Sequence, residues 1–277
     1  AKDYVGQIKV ANLGLSFKHY FKKTEYFQLE KSDLKLPFRK KNNTHKGSFG
    51  HLGVLIGEKE GAGIIASLAG LNFGAGLVTA VTKEKISIPY EIMQSSQIGN
   101  FSALSFGMGI GNFYDDELEY ILKLKIPKVI DADMFYKKII PKFLTKNVVI
   151  TPHPKEFSSL LKLCEFGEYS VEYIQNNRFE LIQKFSEKYP DVVILLKGAN
   201  TLIAYKKQIY VNSFGSSALS KGGSGDVLTG MIGALLAQKY HPLKATITAT
   251  IAHSLAGDIK PNYSLTPFKL IKNIGRL

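Results

Sequence analysis

The sequence predicts an α/β domain of three layers, α-β-α, with a mostly parallel central sheet covered by helices on both faces. Two observations carry this expectation. From residue 47 onward, short wholly apolar runs alternate with segments of helical spacing, as they do where strands are buried on both faces. Several of those runs end in glycine-rich or polar segments, and open parallel sheets bind ligands beyond the carboxyl ends of their strands.

Taken in order, His51–Ile56 reads as a buried strand ending at Gly57, and Ala62–Phe73 as a helix of small and apolar residues. Gly76–Thr82 is strand-like, and so is Ala103–Phe106, which runs into Gly107-Met108-Gly109-Ile110-Gly111. Asp115–Leu124 reads as a helix with acidic residues in its first turn, where the helix dipole favours them. Lys128–Ile130 leads to Asp131-Ala132-Asp133, and Val148–Ile150 to Thr151-Pro152-His153-Pro154. Helices are expected at Glu156–Leu163 and Val171–Tyr189, and a strand at Val192–Leu196 ending in Lys197-Gly198. Thr201–Tyr205 and Gln208–Val211 pair as a hairpin, and three helices, Gly225–Gln238, Leu243–Gly257 and Thr266–Asn273, close the chain. Ile8–Leu15 reads as a further strand ending at Gly14.

Composition narrows the function classes. An apolar fraction of 45% over 277 residues suits a globular chain. No apolar run approaches the roughly 18 residues of a membrane span, and the first residues contain no apolar core of a signal peptide. One cysteine, Cys164, excludes a disulfide scaffold and a multi-cysteine zinc site and fits a reducing, cytoplasmic compartment. The formal charge is +13. Residues 1–50 hold eleven basic and four acidic residues, a balance of +7, which leaves +6 for the other 227. The densest run, Lys31 to Lys46, has Phe38 as its sole aromatic and Pro37 interrupting any helix, so it reads as a solvated connector rather than a nucleic-acid surface.

The most informative segment is Lys221-Gly222-Gly223-Ser224-Gly225-Asp226-Val227-Leu228-Thr229-Gly230. Its glycines stand before an apolar helical pattern, where free N–H groups and the helix dipole favour an anion. No GK[ST] follows, so it is not a P-loop. Asp226, in the first turn, either caps the helix or takes a proton from a substrate hydroxyl as that oxygen attacks phosphorus. Lys197-Gly198-Ala199-Asn200-Thr201 is a turn whose lysine is either a surface residue or a point charge for a phosphate. A lone histidine is more often a packing or surface residue, and the two prolines around His153 at a strand end raise the odds of ligand contact. Asp131 and Asp133 could hold Mg²⁺ through water or cap the next helix. Gly107–Gly111 is misplaced for a dinucleotide fingerprint, and lets a ligand lie close to backbone. Gly61-Ala62-Gly63 is either a second anion site or a tight helix–strand contact.

In this order, with His45-Lys46-Gly47, Gly74–Thr79 and Thr151–Glu156 among them, the motifs over residues 45–277 resemble the NAD(P)H-hydrate dehydratases, a branch of the ribokinase-like superfamily. The resemblance implies a ribokinase-like fold and a repair reaction. ADP or ATP, with Mg²⁺, is the co-substrate, and the S-epimer of NADHX or NADPHX is dehydrated to NADH or NADPH by phosphorylation of the ring hydroxyl and loss of phosphate. It implies Asp226 as the base. Gly222, Gly223, Ser224 and Gly225 form the anion hole. Lys197, Gly198, Ala199, Asn200 and Thr201, with Gly225, bind the nucleotide. Ala62, Gly109 and His153, with Asp226, face the hydrated dinucleotide. It further implies a homo-oligomer, and a preceding epimerase domain of which Val5–Leu15 is the end and residues 1–44 the tail and connector. The chain departs from the family pattern at Ser220-Lys221, where Ala-Thr is common, and at Asn200, where Gly is common. Two other readings stand beside this one: a ribokinase-like kinase of a small hydroxylated metabolite, and a nucleotide- or nucleic-acid-binding module without catalysis.

Overall fold

The computed structural model describes residues 9, 11, 13–16 and 22–277. Its strands are β1 (Tyr26–Gln28), β2 (His51–Leu55), β3 (Leu77–Val81), β4 (Met93–Ser95), β5 (Ala103–Phe106), β6 (Lys128–Ile130), β7 (Val148–Ile150), β8 (Val193–Leu196), β9 (Thr201–Tyr205) and β10 (Gln208–Asn212). Its helices are α1 (Glu60–Asn72), α2 (Leu118–Lys123), α3 (Ile140–Phe143), α4 (Pro154–Leu163), α5 (Val171–Asn176), α6 (Arg178–Lys188), α7 (Ser224–Ala237), α8 (Pro242–Ala256) and α9 (Pro267–Ile274). The strands form one sheet in the order β1-β10-β9-β8-β7-β6-β5-β2-β3-β4. All neighbours run parallel except around β9, which is antiparallel to both β8 and β10. The hairpin β9–β10 turns on Lys206 and Lys207, both left-handed with φ of 49° and 70°, the geometry that suits a two-residue hairpin turn.

Period-two alternation divides the core. Leu52 and Val54 of β2, Val129 of β6 and Val193 and Leu195 of β8 face one layer with α1, α7, α8 and α9. Leu55, Ile130, Ile194 and Leu196 face the other, with α2 to α6. The three expected layers are therefore present. No helix among the described residues is long and apolar enough to cross a membrane.

Helix α7 is buried from Val227 to Ala237, because it lies between the sheet, α1 and α8. Two glycines permit this. A Cβ on Gly230 would stand 2.1 Å from the Ala66 carbonyl oxygen of α1, and one on Gly233 would stand 2.2 Å from Ser105 Oγ of β5. The backbone of α7 thus touches a helix on one side and the sheet on the other.

Two differences from the sequence reading have local causes. The connector expected over residues 1–44 contributes to the sheet, since β1 pairs in parallel with β10 through Tyr26↔Ile209, Phe27↔Tyr210 and Gln28↔Val211. Leu29 then enters the core, Tyr240 donates to the Lys35 carbonyl at 3.2 Å, and the Arg39 guanidinium lies 4.2 Å from the centre of the Phe49 ring. The exposed edge of β10 offers unpaired backbone groups, and the Tyr-Phe-Gln-Leu stretch is a good strand former that satisfies them. The single helix expected over Val171–Tyr189 is broken into α5 and α6 at Asn177 (φ −120°, ψ 27°), whose Nδ2 donates to the Tyr173 carbonyl at 2.9 Å, a local bond that competes with helix continuation. The short β4 and α3 have no clear periodic signal. Of the strand expected at Ile8–Leu15, residues 9, 11 and 13–15 are described and lie in no strand, and residues 8, 10 and 12 fall outside the described residues.

Replacing Gly230 with valine should lower stability by about 1–3 kcal/mol or more, because the branched side chain meets the α1 backbone. A urea unfolding midpoint equal to that of the parent chain would show that α1 and α7 do not meet at this point.

Candidate active site

Strands β2, β5, β6, β7 and β8 are consecutive and parallel in the sheet, so their carboxyl ends share one edge. The glycines after β5, Asp131 after β6, Thr151-Pro152-His153 after β7 and Lys197 after β8 therefore line that edge. Helix α7 begins against it. A Cβ on Gly225 would lie 3.4 Å from Lys197 Nζ and 3.9 Å from Asp131 Oδ2.

The start of α7 leaves N–H groups free, the kind of terminus that favours an anion. Gly223 precedes it in the left-handed region (φ 86°), and no side chain caps the terminus. A Cβ at Gly223 would meet Pro267 of α9 at 2.5 Å and Ile65 of α1 at 3.1 Å. Ser224 donates its N–H to the Lys221 carbonyl at 3.2 Å, and Val227 donates to Gly223. The N–H groups of Gly225 and Asp226 have no acceptor among the described residues, and they are the ones open to an anion. Buried His253 of α8 holds this terminus, its Nε2 lying 2.9 Å from the Ser224 carbonyl oxygen and 3.1 Å from Ser224 Oγ. Burial pushes its pKa down to about 4, so the imidazole is neutral near pH 7, with Nε2–H donating to the carbonyl.

Asp226 faces the strand ends. Its carboxyl is raised from 3.8 to about 7, first by burial and then by the negative charge of Asp131, with Lys197 opposing and Glu156 adding. Asp131 is 2% exposed and doubly held: Lys197 Nζ donates to Oδ1 at 2.6 Å, and Thr229 Oγ1 of α7 donates to Oδ2 at 2.8 Å. The charge beside Asp226 is therefore fixed in place. Thr229 and His253 escaped the sequence reading; Thr229 is the one polar residue from Val227 to Ala237, a signal that could have marked it, whereas His253 stands among several polar residues of α8.

A cavity of about 640 Å³ opens beside this terminus, a volume in the range of small-ligand sites. Lys197, Gly198, Ala199 and Thr201 line it from one side, and Ser224, Gly225 and His253 from another, with His153 at its wall. Most of the turn expected to bind a nucleotide thus shares one space with the terminus expected to bind its phosphates. Asn200 lies outside that lining, and its Oδ1 is buried without a partner among the described residues. Ala62 and Gly109 do not line this cavity. They meet instead around Lys59, whose N–H donates to the Gly109 carbonyl at 2.9 Å and whose carbonyl accepts from Ala62 at 3.1 Å. Gly222 is exposed, and a Cβ there would meet nothing within 4 Å.

Other side chains have structural partners. His153 caps α4: its Nδ1 accepts from the N–H of Lys155 and Glu156 at 3.2 and 3.3 Å, and its Nε2 lies 3.0 Å from Glu156 Oε1. Asp133 Oδ2 accepts the Gly111 N–H at 3.1 Å. With Asp131 paired to Lys197 and Thr229, neither carboxylate is arranged as a metal ligand, and no group of three or more His, Cys, Asp or Glu is arranged to hold a metal among the described residues. Lys221, which also lines the cavity, donates to the Tyr263 carbonyl at 2.7 Å.

Two outcomes follow for the carboxyl pair. In Asp131→Asn a like charge disappears while Lys197 remains, so Asp226 should titrate lower than in the parent chain by carbon-13 NMR; an unchanged titration would remove Asp131 as a cause. The stability sign also follows. A carboxyl raised from 3.8 to about 7 stabilises the fold below its unfolded value, and that contribution is lost as pH rises through 7. The melting temperature of Asp226→Asn relative to the parent chain should therefore climb between about pH 4 and pH 7.5, and a flat difference would contradict the raised value.

Residues 52–276 match the family model for NAD(P)H-hydrate dehydratase. A bifunctional NAD(P)H-hydrate repair enzyme Nnr from Helicobacter pylori is 47% identical over 283 residues, covering 100% of this chain and 60% of that protein. The chain thus spans well under two thirds of that relative's length. An ADP-dependent (S)-NAD(P)H-hydrate dehydratase from Listeria monocytogenes is 28% identical, over 85% of this chain and 90% of that protein. Among solved structures, the ADP/ATP-dependent NAD(P)H-hydrate dehydratase from Bacillus subtilis, co-crystallized with ATP/Mg²⁺, has a TM-score of 0.70 at 23% identity, over 86% of this chain and 92% of that one. A ribokinase-like superfamily protein from Enterococcus faecalis reaches 0.75 at 23% identity, over 92% of this chain and 96% of that one. These likenesses show a ribokinase-like fold. The family match runs from the second residue of β2 to the penultimate residue of the chain and takes in every strand end described above, so the chain belongs to the NAD(P)H-hydrate dehydratase family.

Proposed function

We propose that this chain dehydrates the S-epimer of NADHX or NADPHX at the expense of ADP or ATP. The observation that carries the proposal is Asp226, a carboxyl near neutral pKa beside the uncapped start of α7. A base that titrates near working pH is well matched to removing a hydroxyl proton. In this reading the hydrate hydroxyl gives its proton to Asp226, and its oxygen attacks the terminal phosphorus of the nucleotide. The N–H groups of Gly225 and Asp226 stabilise the charge on the transferring phosphoryl. The nucleotide leaves one phosphate shorter. Loss of phosphate and a neighbouring ring proton then restores the dihydropyridine double bond. Phosphorylation matters because hydroxide is a poor leaving group and phosphate a good one.

Lys197 through Thr201 and Gly225 hold the nucleotide in this reading, with the Lys197 charge pre-positioned by Asp131. Ala62 and Gly109 face the hydrated dinucleotide across Asp226, and His153 stands at the cavity wall. Mg²⁺ would enter on the nucleotide phosphates, since Asp131 and Asp133 are already bonded. A cytoplasmic setting, supported by the single buried Cys164, and self-association complete the reading.

Incubation with NADHX and ADP or ATP should raise absorbance at 340 nm, with kcat increasing through about pH 7 as Asp226 loses its proton. Asp226→Asn should bind nucleotide and lose activity by a factor of about 100 or more. Normal turnover by that variant would remove Asp226 as the base. Phosphorylation of another hydroxylated metabolite, with no 340 nm signal from NADHX, would point to the kinase reading instead.

A further inference from the structure

Arg178, the first residue of α6, is not marked by any motif. Its Nη2 donates to the Leu196 carbonyl at 3.2 Å and to the Lys197 carbonyl at 3.3 Å. These are consecutive carbonyls, where β8 ends and the cavity-lining turn begins. The next residue is Gly198, and a Cβ there would stand 2.6 Å from Arg178 Nη2 and 2.9 Å from its Cζ. The missing side chain of Gly198 is therefore the space in which the guanidinium lies.

The placement is unfavourable by itself. Arg178 Nε is buried with no hydrogen-bond partner among the described residues. No carboxylate pairs with this guanidinium among the described residues, and burial lowers its pKa. A cation at the start of a helix also opposes the helix dipole, and a buried charge without a counterion is costly. The benefit lies in what the guanidinium holds. Lys197 is fixed at both ends, its carbonyl by Arg178 and its Nζ by Asp131 at 2.6 Å.

We propose that Arg178 is a positioning residue for nucleotide binding, clamping the Lys197–Gly198 turn from behind so that Lys197, Ala199 and Thr201 are set toward the cavity before ligand arrives. This rests on the nucleotide-dependent reading above. A turn already in its bound conformation loses less conformational freedom on binding. It also gives Gly198 a reason to be glycine that lies in the protein itself.

The test is titration calorimetry of the full chain with ATP and with ADP, alongside steady-state kinetics with NADHX, for Arg178→Met, Arg178→Lys and Gly198→Ala. Arg178→Met should raise the nucleotide Kd and KM roughly tenfold. It should leave kcat at saturating nucleotide and the KM for NADHX near their parent values. Arg178→Lys should recover part of the loss. Gly198→Ala should weaken nucleotide binding too, and combining it with Arg178→Met should add little, since both break one contact. If Arg178→Met does not fold, Arg178→Lys and Gly198→Ala decide the matter. A parent-like nucleotide Kd in the folded variants overturns the proposal, as does an equal loss in kcat and both KM values. A parent chain that binds nucleotide without dehydrating NADHX refutes only the dehydratase reading, and the Kd comparison still judges Arg178. A parent chain that binds neither ATP nor ADP overturns both.

Discussion

The ion pair between Lys197 and Asp131 is the interaction on which the site depends. Its partners close β8 and β6, which flank β7, so the pair spans the end of the strand between them. Thr229 ties the same carboxylate to α7. Three separate elements are thereby referenced to one buried charge. Each partner answers a problem the other would pose alone: an unpaired Asp131 would be a buried anion, and an unpaired Lys197 a half-buried cation. The pair also sets the surroundings of Asp226, whose carboxyl feels Asp131 as a repelling charge and Lys197 as an attracting one.

Geometry around α7 makes that arrangement possible. An apolar helix packed on all sides needs places where backbone can approach backbone, and Gly230 and Gly233 supply one toward α1 and one toward the sheet. The same closeness brings Ile65 of α1 to Gly223 and places the uncapped terminus over the strand ends. His253 then holds the first residue of α7 from α8. Packing and site geometry are not separable here, because the helix that fills the middle of one layer also presents the free N–H groups of Gly225 and Asp226.

The basic excess of the chain divides along structural lines. Part of the surplus in residues 1–50 belongs to a segment that joins the sheet edge and lays its cations on neighbours, as Arg39 does on Phe49. The charges that bear on the cavity are few and individually held, Lys197 by Asp131 and Lys221 by the Tyr263 carbonyl. A field built from fixed single charges suits small phosphorylated ligands better than a polymer backbone, which asks for a continuous basic stripe.

The sequence by itself determined the layers, the hairpin and the three closing helices, because hydrophobic period and turn residues are local properties that survive in one dimension. It pointed to Asp226 and to the Lys197–Thr201 turn for the same reason. It left Asp131 open between metal ligand and cap, and His153 as a ligand contact. Tertiary structure made Asp131 the partner of a lysine 66 residues away and of Thr229 98 residues away, and gave His153, at the cavity wall, the further role of capping its own helix. It also brought Arg178 into the space left by Gly198 and pinned Ser224 with His253. Pairings of that kind arise only when strands and helices dock, since which polar group meets which is fixed by where two backbones come together and not by the spacing of residues along either one.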